Sequence, residues 1–329
     1  MTATARQPVT SAAAWTAADL AASSEWTIHL GEAEREEIVI AACAAVARGE
    51  TIHTVDRDTF SLPIIETRLA DWARELATGR GFLLIRGFPV GQLTEVETEV
   101  AYVGLGRHLG VTVGQNRTGD ILTHIRDERL AEIGPEVRLY RTNLRQDFHT
   151  DGADLVGLLC LHRAASGGES RLASSAAIYN EVLRRRPDLL EVLYRPFFWD
   201  RHGEERQGEL PYFELAPCFD LDGVPRIFYI GWYIRDAQRH ADVPRLTPQQ
   251  EEAMALIESI ANDPAFHVAM EFRAGDIQLL NNARILHARE AYQDPQALEE
   301  RRHLLRLWLA AHRFASVEGG LRGGINAAR

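Results

Sequence analysis

From about Tyr140 onward the sequence is cut into short apolar runs separated by turn residues: Leu155 to Leu161, Arg226 to Ile234, His267 to Phe272, Ile277 to Leu280 and Leu304 to Leu309. Runs this short, bounded by Gly, Pro, Asp and Asn, suit strands better than helices. No regular strand–helix alternation accompanies them, so a doubly wound parallel sheet is disfavoured and a closed or two-sheet antiparallel core is expected. Helices interrupt this half. Ser174 or Ser175 caps one that runs through Leu183, and Pro187-Asp188 opens another. Thr247-Pro248-Gln249-Gln250 is a capping box with Pro in the first turn, followed by Ala253, Ile257 and Ile260 on one face.

The first third reads differently. Glu34 to Arg48, Glu66 to Thr78 and Glu95 to Leu109 have helix-forming composition, and the short strand Gly81-Phe-Leu-Leu-Ile-Arg86 lies among them. Residues 1–24 are rich in Ala, Thr and Ser and are read as a flexible segment, and residues 315–329 as a Gly-rich tail. Residues 25–314 remain as a single domain, mostly β with flanking helices, within a chain of 329 residues.

Charge and composition remove several function classes. All 36 basic residues are Arg, so the chain has no Lys with which to form a Schiff base, fill a P-loop or serve as the phosphate-binding lysine of a kinase. A formal charge of −11 is the wrong sign for tracking nucleic acid or an anionic membrane, and no apolar stretch is long enough to span a bilayer. Cys43, Cys160 and Cys218 are odd in number and irregularly spaced, which suits reduced thiols in a cytoplasmic protein. A homo-oligomer is compatible with the sequence. Gly104-Leu-Gly106-Arg-His-Leu-Gly110 has one residue too many for a dinucleotide fingerprint and lies late in a helix rather than after a strand.

Two segments read His-x-Asp, His149-Thr150-Asp151 and His240-Ala241-Asp242; with 12 His and 18 Asp, about one such match is expected by chance. Context separates them. His240 sits in an Arg-rich polar loop, whereas His149 follows Phe148 and leads into the apolar run from Leu155. If His149 to Asp151 is extended, residues two apart point to the same face, so an imidazole and a carboxylate converge. A third ligand, His287, follows the buried strand that begins at Asp276. Two His and one carboxylate leave adjacent positions open on a metal, the arrangement that suits non-haem Fe(II) and oxygen. A structural zinc site would close its shell, usually with Cys.

Arg302 and Arg306 lie four apart in Arg302-His303-Leu304-Leu305-Arg306, on one face of a strand that is otherwise apolar. Buried guanidinium groups need anionic partners, either carboxylates of the protein or a bound acid. His124, His162 and His303 are read as structural histidines, and Trp199, Tyr229, Trp232 and Tyr233 as core or pocket wall. Asn282 is a candidate support for the metal ligands.

With these residues in view the sequence resembles the taurine dioxygenase type (TauD/TfdA) of Fe(II)- and 2-oxoglutarate-dependent oxygenases, to which clavaminate synthase is also similar. The resemblance spans about Gly81 to Arg313 and rests on Gly81-Phe-Leu-Leu-Ile-Arg-Gly-Phe, Phe148-His-Thr-Asp151, Gly167-Gly-Glu-Ser170, Asn282-Ala-Arg-Ile-Leu-His287-Ala-Arg, and Arg302 with Arg306. It implies a double-stranded β-helix (jelly-roll, cupin-like) core, with Fe(II), 2-oxoglutarate and O2 as cofactor and cosubstrates. By the same resemblance His149, Asp151 and His287 hold the iron, and Arg302, with Ser170, binds the distal carboxylate of 2-oxoglutarate. Arg306 faces a substrate anion or the other end of the cosubstrate. The expected reaction is hydroxylation of a small anionic molecule, with release of succinate and CO2. A non-oxidative isomerase or hydrolase using the same three ligands is the alternative, and it leaves Arg302 without a role. Gln115 and Asn143 could reach substrate, and the segment from Phe198 to Leu246 is expected to act as a lid.

Overall fold

Alternation along the strand Leu155–His162 fixes the layers of the fold. Leu155 and Leu159 point into one apolar cluster, which they share with helix residues such as Ile38, Leu69, Trp72 and Val103. Val156, Leu158 and Cys160 point the opposite way, into a cluster shared with Leu172, Met270 and Ile285 of a second sheet. In this computed structural model, which describes residues 6–130, 137–205, 207–221 and 223–311, two sheets therefore face each other between two helical layers.

The larger sheet has seven strands. Thr27–His29, Phe82–Arg86, Ile277–Asn281, Leu155–His162, His303–Ala311 and Gly110–Thr112 follow in that order, and Leu122–Ile125 also pairs with His303–Ala311. Only the pairing of Thr27–His29 with Phe82–Arg86 is parallel. The smaller sheet is antiparallel throughout, in the order His267–Met270, Ser170–Ser174, Ile285–Arg289, Gln146–His149. Helices Glu32–Ala47, Pro63–Ala77 and Glu95–Arg107 cover the larger sheet. Helices Ser175–Arg185, Pro187–Leu193 and Pro248–Asn262 cover the smaller one through Ile178, Leu190 and Ile257.

Most expected elements are found within a residue or two. Ser174 caps its helix by accepting from the Ala177 N–H, and Thr247 accepts from Gln250 with Pro248 in the first turn. Helix, however, claims as much of the described chain as strand, so the architecture is mixed rather than mostly β. The apolar run from Arg226 to Ile234 is not one strand. It is the end of Val224–Ile227 followed by the helix Gly231–Asp236: Ile230 makes a single bridge to His149, and Tyr233 and Ile234 then pack against the apolar cluster of the outer helices. The segment expected to be flexible at the N-terminus is docked where it is described: Trp15 and Leu20 are buried, and the helix Ala17–Ala21 forms there. The Gly-rich tail at 315–329 lies outside the described residues.

Candidate active site

Cross-strand register assembles the site. His149 ends its strand directly opposite His287, which places the two ring centroids 4.2 Å apart between the sheets. Alternation along Ile285–Arg289 turns Leu286 and Ala288 outward into the helical layer, so His287 and Arg289 face inward. Asp151 lies just past the strand end. Its backbone N–H donates to Asn282 Oδ1 at 3.0 Å, and Asn282 Nδ2 donates to the Ala153 carbonyl at 2.7 Å, so one buried amide fixes the turn that carries the carboxylate. Asn282 itself sits in the short connection from the larger sheet to the smaller.

One ligand atom from each of His149, Asp151 and His287 lies within 4.8 Å of the others, and all three residues are buried. His149 Nε2 is 4.0 Å from Asp151 Oδ1, and His287 Nε2 is 3.8 Å from Asp151 Oδ2. The Asp147 carbonyl, 2.8 Å from His149 Nδ1, selects the tautomer whose Nε2 lone pair faces the cluster. Burial pushes the His149 imidazole below its ordinary pKa, and pushes His287 down to about 3, with His149 adding to the effect. Burial alone would raise the Asp151 carboxyl, but Arg306, His287, His149 and the Trp308 hydrogen bond together outweigh it and hold the group below the usual carboxylate range. Two neutral imidazoles beside one carboxylate form the donor set a divalent ion requires.

The strand His303–Ala311 places Arg302, Leu304, Arg306 and Trp308 on its inner face. Arg306 Nη1 lies 3.4 Å from both Asp151 oxygens, its Nε donates to Gln115 Oε1 at 2.7 Å, and Gln115 Nε2 donates back to the Arg306 carbonyl at 2.8 Å. Trp308 Nε1 donates to Asp151 Oδ2 at 3.2 Å. Arg302 is more isolated. It is buried, packs 5.0 Å from the Tyr292 ring centroid, and its Nη1 finds no hydrogen-bond partner among the described residues. Gly168, at φ +77°, lets the backbone pass close by: a Cβ there would stand 3.2 Å from Arg302 Nε. Ser170 also lies between the sheets, but its hydroxyl is bonded to Gln278 Oε1 at 3.1 Å and not to a ligand or an arginine.

A cavity of about 240 Å³ opens onto His149, Asp151 and Arg306, walled by Arg138, Tyr140, Trp232 and Tyr233. The segment expected to act as a lid contributes His202, Trp232, Tyr233 and Asp236 to this wall. Arg138 and Tyr140 are pocket residues that the sequence did not reveal. Arg138 Nη1 donates to the Tyr233 hydroxyl at 3.1 Å and lies 3.5 Å from Glu204, while the Tyr140 ring centroid is 5.2 Å from the Arg306 guanidinium carbon. Gln115, expected to reach substrate, spends its amide on Arg306 and does not line the cavity. Asn143 instead uses its carbonyl to accept from Tyr292 N. His240 pairs with Asp200 at 2.8 Å and takes no part in the cluster of His149, Asp151 and His287, which disposes of the second His-x-Asp segment. A larger cleft of about 590 Å³, bordered by Arg126, His162, Arg302 and His303, holds none of His149, Asp151 and His287, and the smaller cavity does not reach Arg302.

The profile of the family described as taurine catabolism dioxygenase TauD, TfdA family matches residues 48–308. The chain belongs to the TauD/TfdA family. As a TauD/TfdA protein it is an Fe(II)- and 2-oxoglutarate-dependent oxygenase of small molecules, which makes the non-oxidative alternative the poorer reading. It is 35% identical over 308 residues to FR-33289 synthase from Streptomyces rubellomurinus (strain ATCC 31215), covering 92% of this chain and 91% of that one. It is 31% identical to the taurine hydroxylase-like protein SAT17 of Stachybotrys chartarum, covering 89% of this chain and 77% of that one. In fold this TauD/TfdA chain resembles asparagine oxygenase in complex with Fe(II), hydroxyasparagine and succinate, with a TM-score of 0.68 at 15% identity over 87% of this chain and 93% of that one. It also resembles the non-haem iron oxygenase OrfP in complex with Fe and alpha-ketoglutaric acid, with a TM-score of 0.63 at 14% identity over 86% of this chain and 93% of that one.

Proposed function

We propose that this chain hydroxylates a C–H bond of a small anionic molecule, with Fe(II) bound by His149, Asp151 and His287 and with the distal carboxylate of 2-oxoglutarate bound by Arg302. The observation that carries the reading is the pairing of a buried His-Asp-His cluster with a separate buried guanidinium whose Nη1 has no partner among the described residues. Such a cation is costly unless a bound acid completes it, and a non-oxidative metal enzyme would leave that cost unmet. Iron, when bound, would let O2 act as the oxidant: one oxygen atom would enter succinate as 2-oxoglutarate loses CO2, and the other would enter the substrate C–H bond.

The chain's own residues then have separable tasks. His149 and His287, neutral at physiological pH, offer their Nε2 atoms without having to lose a proton. Asn282 orients Asp151, and Asp151 fills the position that a halide would need, which favours hydroxylation over halogenation. Arg306, held by Gln115 and flanked by Tyr140 and Trp308, keeps a cation at the cavity where the substrate anion enters. Trp232 and Tyr233 keep water from that cavity. Ser170 is a further donor for the cosubstrate carboxylate once its hydroxyl leaves Gln278. The hydroxylated amino acid named with the asparagine oxygenase structure supports hydroxylation as the outcome.

We also read the two facing sheets as a double-stranded β-helix within one domain of residues 25–314. No helix among the described residues is long and apolar enough to cross a membrane, and the free thiols support a cytoplasmic setting. The test is anaerobic titration of the protein with Fe(II) and 2-oxoglutarate, followed by a screen of small acids for stimulated succinate formation. A chelate band that is lost in Asp151→Ala, with acids stimulating turnover more than their amides do, is the expected result. Absence of both 2-oxoglutarate binding and succinate would overturn it.

A further inference from the structure

Arg302 is not the only guanidinium enclosed between the sheets. Arg289, two residues past His287 and facing inward with it, is 6% exposed, and Arg302 is 4% exposed. Their guanidinium carbons lie 5.1 and 5.0 Å from the centroid of the same ring, Tyr292. Neither forms an ion pair with a carboxylate among the described residues. Arg289 Nε and Nη1, like Arg302 Nη1, are buried without a hydrogen-bond partner among them. Asp127 and Asp294 act on these two cations only from beyond ion-pair distance, so a bound anion has room to complete them.

The remaining amino group of Arg289 is fully engaged. Arg289 Nη2 donates to the carbonyls of Leu139 at 3.3 Å and Thr142 at 3.0 Å, and also to that of Leu144. Tyr292 holds the same stretch, its hydroxyl donating to the Thr142 carbonyl at 3.3 Å and its N–H to the Asn143 carbonyl at 3.1 Å. This stretch carries Tyr140, which packs against Arg306 in the substrate cavity. A continuous path of contacts thus runs from Arg302 through Tyr292 and Arg289 to the wall of the cavity.

We propose that Arg289 is a positioning residue with two linked tasks: it supplies the second positive charge that draws the distal carboxylate of 2-oxoglutarate to Arg302, and it transmits occupancy of that pocket to the cavity wall at residues 139–144. The inference rests on the reading that Arg302 receives this carboxylate. An anion at Arg302 relieves the repulsion between the two guanidinium groups, so Arg289 holds more firmly to the three carbonyls it already touches and the wall tightens before substrate arrives.

The experiment measures 2-oxoglutarate affinity by anaerobic titration of the Fe(II)-loaded full chain, and amide hydrogen exchange of residues 139–144 with and without 2-oxoglutarate. In the parent protein 2-oxoglutarate slows exchange across this stretch. Arg289→Met weakens binding about tenfold and abolishes the slowing, the size expected for one charge acting across a partly shielded interior, while Arg289→Lys keeps most of the affinity. An affinity unchanged in Arg289→Met overturns the first task, and exchange in the parent protein that ignores 2-oxoglutarate overturns the second, a result that stands even if Arg289→Met does not fold. Arg302→Gln separates the layers: if it leaves affinity unchanged, the reading of Arg302 itself fails, whereas if it abolishes binding and Arg289→Met does not, only the present inference fails.

Discussion

Asn282 offers the sharpest test of how the ligand cluster is held. Its side chain is buried, accepts from Asp151 N–H at 3.0 Å and donates to the Ala153 carbonyl at 2.7 Å. Replacing it by Ala removes both bonds and strands one donor and one acceptor away from water. At about 1 to 3 kcal/mol for each stranded group, partly offset by relaxation, the expected loss is about 3 kcal/mol. For a chain of this size that lowers the melting temperature by about 6 °C. The turn that carries Asp151 is also loosened, so Fe(II) affinity should fall by about 10- to 100-fold, as is usual when the support of a metal ligand is removed. Chemical denaturation of the metal-free protein reads the first effect, and anaerobic Fe(II) titration the second. Asn282→Asp keeps the acceptor but turns a carboxylate oxygen toward the Ala153 carbonyl, so it should repair neither. A variant Asn282→Ala with parental stability and parental iron affinity would show that the turn at Asp151 is fixed by other contacts.

Other substitutions probe the remaining parts. Arg306→Ala should raise the KM of the substrate more than that of 2-oxoglutarate; equal effects would assign Arg306 to the cosubstrate. Gly168→Ala forces a side chain into a left-handed backbone position against Arg302 and should cost about 1 kcal/mol in stability, together with a several-fold loss of 2-oxoglutarate affinity; parental affinity would place the carboxylate elsewhere. His303, whose pKa is pushed down to about 4 by burial and then by His124, Arg126 and His162, supplies a pH test. Because its folded-state pKa is depressed, the unfolded chain takes up the proton first. This contribution is intact above about pH 6.5 and shrinks as pH falls toward 4. Between pH 7 and 5 it amounts to about 1 kcal/mol after allowance for solvent screening, so the stability of His303→Gln should fall less steeply than that of the parent over that interval.

What the sequence made legible follows physical rules of different reach. His149 and Asp151 could be read because residues two apart in extended chain share a face, His287 because a polar residue just after a buried strand is otherwise unexplained, and Arg302 and Arg306 because charge on an apolar strand demands an explanation. Arg138 and Tyr140 obey no such period: they belong to an irregular stretch whose path is set by Arg289 and Tyr292, residues some 150 positions away in the chain. The misreading of Arg226 to Ile234 has a related cause. A short apolar run has the same appearance whether it enters a sheet or packs as a helix against one, and only the neighbouring layer decides.

The docked N-terminus bears on where this protein can be cut. The family match begins at residue 48, yet the Trp15 ring packs tilted against Phe82 with centroids 5.4 Å apart, its indole N–H reaches the Arg80 carbonyl at 3.0 Å, and Ser174 donates to the Ala13 carbonyl. These contacts close the apolar edge of the very sheet interior that encloses the ligands. A fragment begun where the family profile begins would strip away that cover along with the helix Glu32–Ala47, so the span of the profile is shorter than the unit that must be synthesised for the space between the sheets to stay dry.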